Sequence, residues 1–429
     1  MSLSESFGPL RERNFRLLWA GQSTSILGNA VVPIAIAFAV LDLTHSVADL
    51  GYVLAAQSVP LVVFLLVGGV WADRLPRQLV MVVSDVVRCG VQATMAVLLF
   101  TGDPPIWALG ALMATFGTAQ AFFEPAFGGL VPSTVSAARL QQANALVMVS
   151  SGTAWVAGPA VAGILIAVHG PALALAFDAG TFALSALSLL ALRLPQAARH
   201  VERQSFLREL VEGWQEVRSR TWIWTIIAWV GSYFFLVIAP FIVLGPAVAR
   251  ASLGGATAWA IIWGSLSAGR LLGGATALNW TPSRPLFVAS ALLLLQVPPV
   301  ALLAARAPLL AIVPAQVLGG ASIGFFFTIW DTALQRHVAP ERLSRVSSYD
   351  WIGVFVLQPA GLVLVGPVAA AIGISATLSI SAAWAAASTL IVLLVRDVRE
   401  LRFDGVAAPA PAAAAPPRST ADPAGAEAV

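Results

Sequence analysis

Long apolar stretches separated by short polar intervals make up most of the chain. A helix that crosses a bilayer needs about 20 apolar residues, and stretches of roughly that length recur from end to end. We number them spans 1 to 12: 17–41, 50–72, 79–101, 106–131, 145–168, 172–194, 222–249, 256–280, 286–305, 308–334, 351–371 and 374–395. Turns rich in Pro and Gly stand between several of them. The pattern predicts an all-α membrane protein with twelve transmembrane helices.

The longest polar interval divides the spans into two sets of six. Residues 196–220 place apolar side chains at helical spacing among Arg and Glu, which is typical of an amphipathic helix on a membrane surface. We expect an N-terminal six-helix bundle over 1–195, a cytoplasmic amphipathic linker over 196–220 and a C-terminal bundle over 221–396. A regulatory or partner-binding helix is the alternative for the linker. The Ala- and Pro-rich segment 397–429 predicts a disordered cytoplasmic tail.

The two sets of spans carry an internal repeat. Three pairs of like residues share one offset of 203 positions: Phe123 and Phe326, Val135 and Val338, and Arg139 and Arg342. Parallel repeats related by an axis along the membrane normal are a known transporter plan, with the substrate site between the repeats near mid-bilayer. The repeat predicts two pseudo-symmetric six-helix bundles.

Composition excludes several classes of protein. The 429 residues are 58% hydrophobic and 10% charged, whereas a soluble domain carries about 25% charged residues. This excludes a soluble enzyme. The net charge of +3, with no arginine cluster on a polar domain, does not indicate a nucleic-acid partner. One cysteine, Cys89, allows neither a disulfide framework nor a metal–thiolate site.

Arginine positions orient the chain. If both termini share one side, the loops of that side hold most of the arginines, and the opposite loops hold only Arg250 and Arg306. The positive-inside rule then makes both termini and the central interval cytoplasmic. Residues 1–16 are polar and the first apolar stretch is long, so span 1 is expected to act as its own insertion signal. We expect a multi-pass protein of the cell (inner) membrane.

A glycine and charged residues stand between spans 2 and 3, where Gly69 is followed by Asp73, Arg74 and Arg77. Here the sequence resembles the major facilitator superfamily, which carries a Gly, an Asp-Arg pair and further basic residues at this place. The resemblance implies the major facilitator fold and a cytoplasmic latch. An Asp carboxylate is stabilised at a helix N-terminus, and the arginines can bridge to acidic groups of the facing bundle.

Span 5 carries Gly158, Pro159 and Gly163. This run resembles the fifth-helix motif of the antiporter branches of the superfamily; ordinary tight helix packing is the alternative. Further stretches narrow the branch: Asn14–Gly21, Asp85–Arg88, Glu124–Ala126 and Gln142–Asn144. Together they resemble the drug:proton antiporter branch that includes enterobactin exporters and macrolide efflux pumps. Many proton-coupled drug exporters also carry an arginine in span 4, and residues 106–123 contain none.

Ionisable residues at membrane depth are costly and therefore mark candidate functional sites. Desolvation favours the protonated form of a carboxylate, so Asp178, Glu124 and Asp331 are the candidate proton carriers, with Asp178 first because it lies well inside span 6. A packing hydrogen bond, or contact with cytoplasmic water, is the structural alternative for each. Asp85 and Arg88, three residues apart on one helical face, are interpreted as a structural charge pair.

The candidate cavity lining combines aromatic rings with one cation. Phe234 and Phe235 of span 7, and Phe325 and Phe326 of span 10, lie deep enough to line an adaptable apolar cavity; lipid-facing or core packing is the alternative. Arg270 is the isolated cation of span 8. It either snorkels to the cytoplasm, the favoured interpretation, or binds an anionic substrate.

These features favour a secondary active transporter that exports a small amphipathic molecule (a drug, siderophore or metabolite) by proton antiport with alternating access. A proton-coupled uptake symporter is the nearest alternative. A membrane-embedded enzyme is less favoured, because no histidine pair has metal-ligand spacing. No Walker A pattern occurs, which disfavours a primary pump. The expected partners are the substrate, protons and the lipid bilayer, for a monomer without metal or cofactor.

Overall fold

The structure, a computed structural model, describes residues 7–194 and 214–403. Within these ranges it leaves out the side chains of residues 66–74 and most of those from 340 to 355. The described residues form helices and turns, with no strand. Most of the linker predicted over 196–220 lies outside the described residues. Its last part, residues 214–219, is helical.

Five helices make up the N-terminal segment, by which we mean residues 7–194. They are α1 Arg13–Thr44, α2 Val47–Arg74, α3 Arg77–Thr101, α4 Ile106–Leu130 and α5 Leu140–Leu190. Short 3₁₀ turns precede α1 (Gly8–Arg11) and follow α4 (Val131–Ser133 and Ala137–Arg139).

The C-terminal segment, residues 214–403, is also helical and has more interruptions. Its helices are α6 Thr221–Tyr233, α7 Ala239–Val248, α8 Ala256–Asn279, α9 Pro285–Leu292, α10 Val297–Ala304, α11 Leu309–His337, α12 Pro340–Ile372, α13 Ile374–Leu394 and the short α14 Arg396–Glu400. π-helical turns at Phe234–Ile238 and Ala249–Leu253 extend α6 and α7 into one rod. A 3₁₀ turn, Leu293–Gln296, joins α9 to α10.

Helix α5 is broken in the middle. His169 and Gly170 leave helical geometry, and Gly170 takes φ 73°, a left-handed conformation that glycine adopts without steric cost. The break separates a first arm, 140–168, from a second arm, 171–190. It coincides with the turn that the sequence places between spans 5 and 6.

Nine helices of the described residues are by themselves long and apolar enough to cross a membrane. One of the nine, Ala137–Leu190, contains the broken α5 and so covers both span 5 and span 6. Helix α8 covers span 8, but Arg270 and two serines dilute its apolar run. Span 11 corresponds to α12, of which the apolar part is Val356–Ile372. The protein is a multi-pass membrane protein.

The helices run alternately between two ends of the molecule. The terminal end holds residues 7–12 and 396–403. The distal end holds the turns at 45–46, 102–105, 169–170, 254–255, 305–308 and 373. At the distal end of α1, His45 closes the helix in left-handed geometry with φ 56°, and its backbone N–H donates to the carbonyl of Leu41.

The hydrophobic cores differ between the two ends. One continuous core fills the distal side and contains residues of both segments, among them Val31 and Phe116 together with Val243 and Leu378. At the terminal side each segment has a core of its own, with Leu18 and Phe123 in one and Ile226 and Trp330 in the other. The two segments therefore share a core at the distal end and have separate cores at the terminal end.

Packed structure extends beyond residue 396, further than the sequence indicates. Residues 397–403 belong to the predicted tail, yet Val398 is buried and Phe403 packs against His337 at a ring-centroid distance of 6.2 Å. The guanidinium of Arg336 lies 4.8 Å from the same ring. A short amphipathic turn after the last span thus covers the terminal-side core, a contact that composition alone does not reveal. Residues 404–429 of the predicted tail lie outside the described part of the chain.

Candidate functional site

The two segments meet along two helix pairs, α2 with α12 and the first arm of α5 with α8. A Cβ added at Gly51 of α2 would overlap the backbone carbonyl of Leu362, and one added at Gly366 of α12 would overlap Ala48. The glycines therefore set how closely the helices approach at the distal end.

The span 5 motif lies at this interface. A Cβ at Gly158 would overlap Ala30 of α1, whereas a Cβ at Gly163 would lie 3.1 Å from the Cβ of Ala260 on α8. Pro159 between them is buried. The motif thus packs the first arm of α5 against its own segment on one side and against the C-terminal segment on the other. Its assignment to antiport stays a prediction.

A charge cluster joins the segments at the distal end. Arg250 Nε lies 3.1 Å from Asp42 Oδ1, and the same guanidinium donates to the carbonyl of Leu41. His45 Nε2 lies 3.5 Å from Arg250 Nη2. Sequence reasoning did not select this pair, although a signal existed: Arg250 was one of two arginines on the arginine-poor side.

At the terminal end, two ion pairs each join residues of a single segment. Arg139 pairs with Glu12 at 3.2 Å, and Arg342 pairs with Glu216 at 2.6 Å. Arg139 and Arg342 are the repeat-related arginines of the sequence, and each holds a glutamate that precedes the first long helix of its segment. The repeat therefore extends to equivalent ion pairs.

A buried polar network occupies the interior of the N-terminal segment. Asp85 and Arg88 of α3 form an ion pair, as the sequence predicts, and their side chains are 0% and 2% exposed. The Arg88 guanidinium lies 4.0 Å from the ring centroid of Phe123 and 4.4 Å from that of Phe182. Cation–π contacts of this kind stabilise a desolvated guanidinium.

The network continues to α1 and to the second arm of α5. Ser185 Oγ donates to Asp85 Oδ2 at 2.6 Å, and Gln22 Nε2 donates to Ser185 Oγ at 2.9 Å. The pair is thus held by polar side chains from three helices, which partly offsets the cost of burying two charges.

Asp178 lies at the distal end of this network. It is 0% exposed. Gln92 Nε2 donates to Asp178 Oδ2 at 2.8 Å, and Thr181 Oγ1 donates to Asp178 Oδ1 at 3.2 Å. A Cβ at Gly28 of α1 would overlap both Asp178 Oδ1 and Thr181 Oγ1, so only glycine leaves room for this carboxylate. Packing therefore encloses Asp178, and no basic residue pairs with it directly among the described residues.

Sequence reasoning missed the neutral members of the network: Gln22, Gln92, Thr181 and Ser185. A signal was available, because α3 and the second arm of α5 share one spacing. Asp85, Arg88 and Gln92 stand at i, i+3 and i+7, and so do Asp178, Thr181 and Ser185. This spacing places three polar side chains on one face of an apolar helix.

The other candidate carboxylates are in different surroundings. Glu124 of α4 and Asp331 of α11 are both exposed. Each stands six residues before the last residue of its helix, about 9 Å from the terminal end at 1.5 Å per residue. The structure therefore does not bring them together with Asp178.

The structure describes neither the side chains of Asp73 and Arg74 nor the surroundings of Gly69. Arg77, the last residue of the motif, is described. Its Nη1 donates to the carbonyl of Gly129 at 2.6 Å, which ties the start of α3 to the end of α4.

The aromatic candidates separate into two groups. Phe325 and Phe326 are buried in the terminal-side core, where their rings pack against Trp280 and Trp229 at 5.3 and 5.6 Å. They thus take part in core packing. Phe234 and Phe235 are half-buried within the π-helical turn that follows α6, a geometry that is frequent at functional sites.

Arg270 on α8 is exposed. Within the described ranges, no group of three His, Cys, Asp or Glu side chains is placed to hold a metal ion.

Comparisons with known proteins agree on a transporter. A family model described as transmembrane secretion effector matches residues 4–414. Macrolide efflux protein A of Streptococcus pyogenes is 22% identical over 393 residues, which cover 90% of this chain and 97% of that protein. Multidrug efflux pump Tap of Mycolicibacterium fortuitum is 29% identical over 393 residues, with coverage of 86% and 91%.

Solved structures show the same fold at low identity. A mutant of the nucleoside transporter NupG superposes with a TM-score of 0.72 at 14% identity, covering 89% of this chain and 98% of that one. A bacterial homologue of the iron transporter ferroportin, in an inward-facing state, superposes with a TM-score of 0.67 at 15% identity and covers 91% and 98%.

Proposed function

Because the chain belongs to the transmembrane secretion effector family of the major facilitator superfamily, we propose that it is a secondary active exporter of a small amphipathic molecule, driven by proton antiport. The named relatives are efflux pumps, and the proposal extends their direction of transport to this protein. Drugs, siderophores and metabolites all belong to the proposed substrate class.

The proposed architecture has twelve spans in two six-helix bundles. Each arm of α5 counts as one span. The continuous helical stretches 221–253 (α6 and α7) and 285–304 (α9 and α10) each count as one span, and so do helices α8 and α12. The repeat-related ion pairs Glu12–Arg139 and Glu216–Arg342 support a pseudo-symmetric pair of bundles. The arginine distribution favours the inner membrane with the terminal end in the cytoplasm. The linker then lies in the cytoplasm between the bundles, and the transporter acts as a monomer.

The observation that carries this mechanism is the difference between the two ends. A shared core and the Asp42–Arg250 ion pair close the distal end, whereas the terminal-side cores are separate. Such a shape corresponds to a cleft that opens towards the cytoplasm. Alternating access then requires the distal contacts to break while contacts form at the terminal end.

The motif between spans 2 and 3 is proposed as the latch of the terminal end. Gly69, Asp73, Arg74 and Arg77 would hold the cytoplasmic side shut in the outward-open state. The hydrogen bond from Arg77 to Gly129 supports a place for the motif at the junction of α2, α3 and α4.

Asp178 is proposed as the proton carrier. A carboxylate enclosed by helices in an apolar segment is stable when neutral, and its neighbours Gln92 and Thr181 serve either protonation state. Rocking of α1 against α3 and α5 would open this site to water and let the proton leave. Glu124 and Asp331, both exposed, are the alternative carriers.

Accumulation of labelled compounds tests the function. We would load cells that lack their own major pumps with a labelled macrolide, a labelled catecholate siderophore or ethidium, with and without this protein. Expression should lower the accumulation of at least one compound severalfold, and collapse of the proton gradient should restore it. Unchanged accumulation of the whole panel, or higher accumulation on expression, would contradict export.

A further inference from the structure

We propose that Arg270 binds the transported molecule together with Trp263, the half-buried member of an aromatic cluster whose other rings, Phe241 and Trp259, are buried, and that this molecule is an amphipathic anion. Its expected features are a flat apolar body and an oxyacid group such as a carboxylate, sulfonate or phosphate. The inference rests on the proposed function and names the substrate class of the same transporter.

Helix α8 is exposed over a wide arc with Arg270 at one edge, Leu271 (50% exposed) in the middle and Leu272 at the other edge. Ile261 and Leu272 stand eleven residues apart, close to three turns, and so share a face; they are 43% and 57% exposed. Arg270 is also exposed, but it lies roughly 160° around the helix from Leu272 at 3.6 residues per turn. The apolar face suits lipid. The face that carries the guanidinium must therefore point away from lipid, because an arginine directed into hydrocarbon is costly.

The aromatic cluster shows in which direction the Arg270 face of α8 points. Trp263 precedes Arg270 by seven residues, two turns on the same face. Its ring lies 6.0 Å from that of Phe241 on α7 and 5.8 Å from that of Trp259. Helix α7 belongs to the distal core that the segments share. The face that carries Trp263 and Arg270 therefore points inward, and Arg270 lies on the cleft side of that core.

Helix geometry keeps the Arg270 guanidinium at membrane depth. Arg270 is nine residues from the terminal end of α8 at Asn279, about 14 Å at 1.5 Å per residue. Side chains on a helix lean towards its N-terminus, which for α8 is the distal end. The Cα–Cβ bond of Arg270 thus points towards the turn of Trp263 and away from the terminal end. Snorkelling to the cytoplasm, the interpretation that the sequence favours, needs the opposite direction.

Arg270 also lacks a counter-charge. Six arginines of the described ranges have carboxylate partners: Arg88, Arg139, Arg220, Arg250, Arg342 and Arg396. Arg270 has neither an ion pair nor a hydrogen bond within those ranges. The exposed carboxylates Glu124 and Asp331 stand about 5 Å nearer the terminal end along their helices. An anionic group on the ligand would supply the missing charge in bidentate geometry, while the half-buried ring of Trp263 accepts a flat apolar body.

Three probes that differ mainly in charge test this site: naphthalene-2-carboxylate, naphthalene-2-carboxamide and naphthalene-2-methylammonium. Binding to the purified full-length protein in detergent would be measured by titration calorimetry. We expect the carboxylate to bind at least ten-fold more tightly than the other two. Arg270→Gln should remove this preference, and Arg270→Lys should keep part of it. Arg284→Gln, on the exposed turn before α9, is the matched control and should change nothing.

Several outcomes would overturn the site: no carboxylate preference in the wild type, an unchanged preference in Arg270→Gln, or an equal loss of all three probes in a normally folded Arg270→Gln protein. The last result would show that Arg270 serves the conformational cycle. These readings are independent of the proposed function. Export of the labelled panel with no carboxylate preference refutes only the anion site, and a carboxylate preference without export refutes only the exporter.

Discussion

The contribution of the buried Asp85–Arg88 ion pair to the stability of the protein depends on whether both partners are present. Breaking such a pair by removing one partner costs about 3–5 kcal/mol, because an uncompensated charge remains buried. Replacing both partners by apolar residues of similar size is often close to neutral.

We therefore expect Arg88→Met to lower the thermal unfolding midpoint strongly, since Asp85 keeps its charge without a partner. The double variant Asp85→Leu/Arg88→Met should recover much of the loss. Tryptophan fluorescence of the purified protein in detergent during heating measures both. If the double variant unfolds at a lower temperature than the single one, the pair is more than a structural element, and the interpretation is wrong.

Asp178 is predicted to act differently, through its proton. Asp178→Asn keeps the size and the hydrogen-bonding capacity that Gln92 and Thr181 require, but it cannot titrate. Gradient-driven efflux should disappear, and exchange of substrate down its own gradient should survive.

Counterflow in proteoliposomes measures that exchange directly. Glu124→Gln is the comparison variant and should keep most of the gradient-driven efflux. Full pH-driven efflux by Asp178→Asn would move the proton-carrier assignment to Glu124.

At the scale of the helices, close glycine contacts between α2 and α12 determine how tightly the distal end is closed. A Cβ at Gly51 would meet the carbonyl of Leu362, which is backbone and cannot move aside. We expect Gly51→Ala to separate α2 from α12 and to favour the distal-open state. Gly90→Ala on α3 is the matched control, because a Cβ there meets nothing within 4 Å.

Spin labels report the change. Cysteines at Asp103 and Arg306, on two distal turns, would be labelled in a Cys89→Ser background and their separation measured by pulsed electron resonance. Gly51→Ala should increase the population of longer distances, and Gly90→Ala should not. Identical distance distributions would show that this contact does not control closure.

Many of the helices and their ends were predictable from the sequence, because bilayer thickness fixes the length of an apolar run and turn residues end it. The break at His169 and Gly170 and the pairing of Asp85 with Arg88 follow from such local signals. The Asp42–Arg250 ion pair does not, since it joins residues far apart in sequence and depends on how the segments meet. The π-helical turns around Phe234 and the packing of Phe403 likewise depend on tertiary contacts.

For the whole molecule, orientation follows from the arginines. A reporter fused after Arg220 should be cytoplasmic, and one inserted near Asp103 should be external. Paired alkaline phosphatase and green fluorescent protein fusions at each site give opposite signals for the two sides. The reverse result at either position would overturn the orientation and, with it, the assignment of the cleft to the cytoplasm.

The central claim is export by exchange with protons, and everted membrane vesicles test it most directly. Respiration acidifies their interior, so an exporter of this kind should accumulate a labelled compound from the panel inside the vesicles. Nigericin, which collapses the pH difference, should release the accumulated compound within minutes. Accumulation that persists after nigericin, or vesicles that accumulate no compound of the panel beyond those without the protein, would contradict the account.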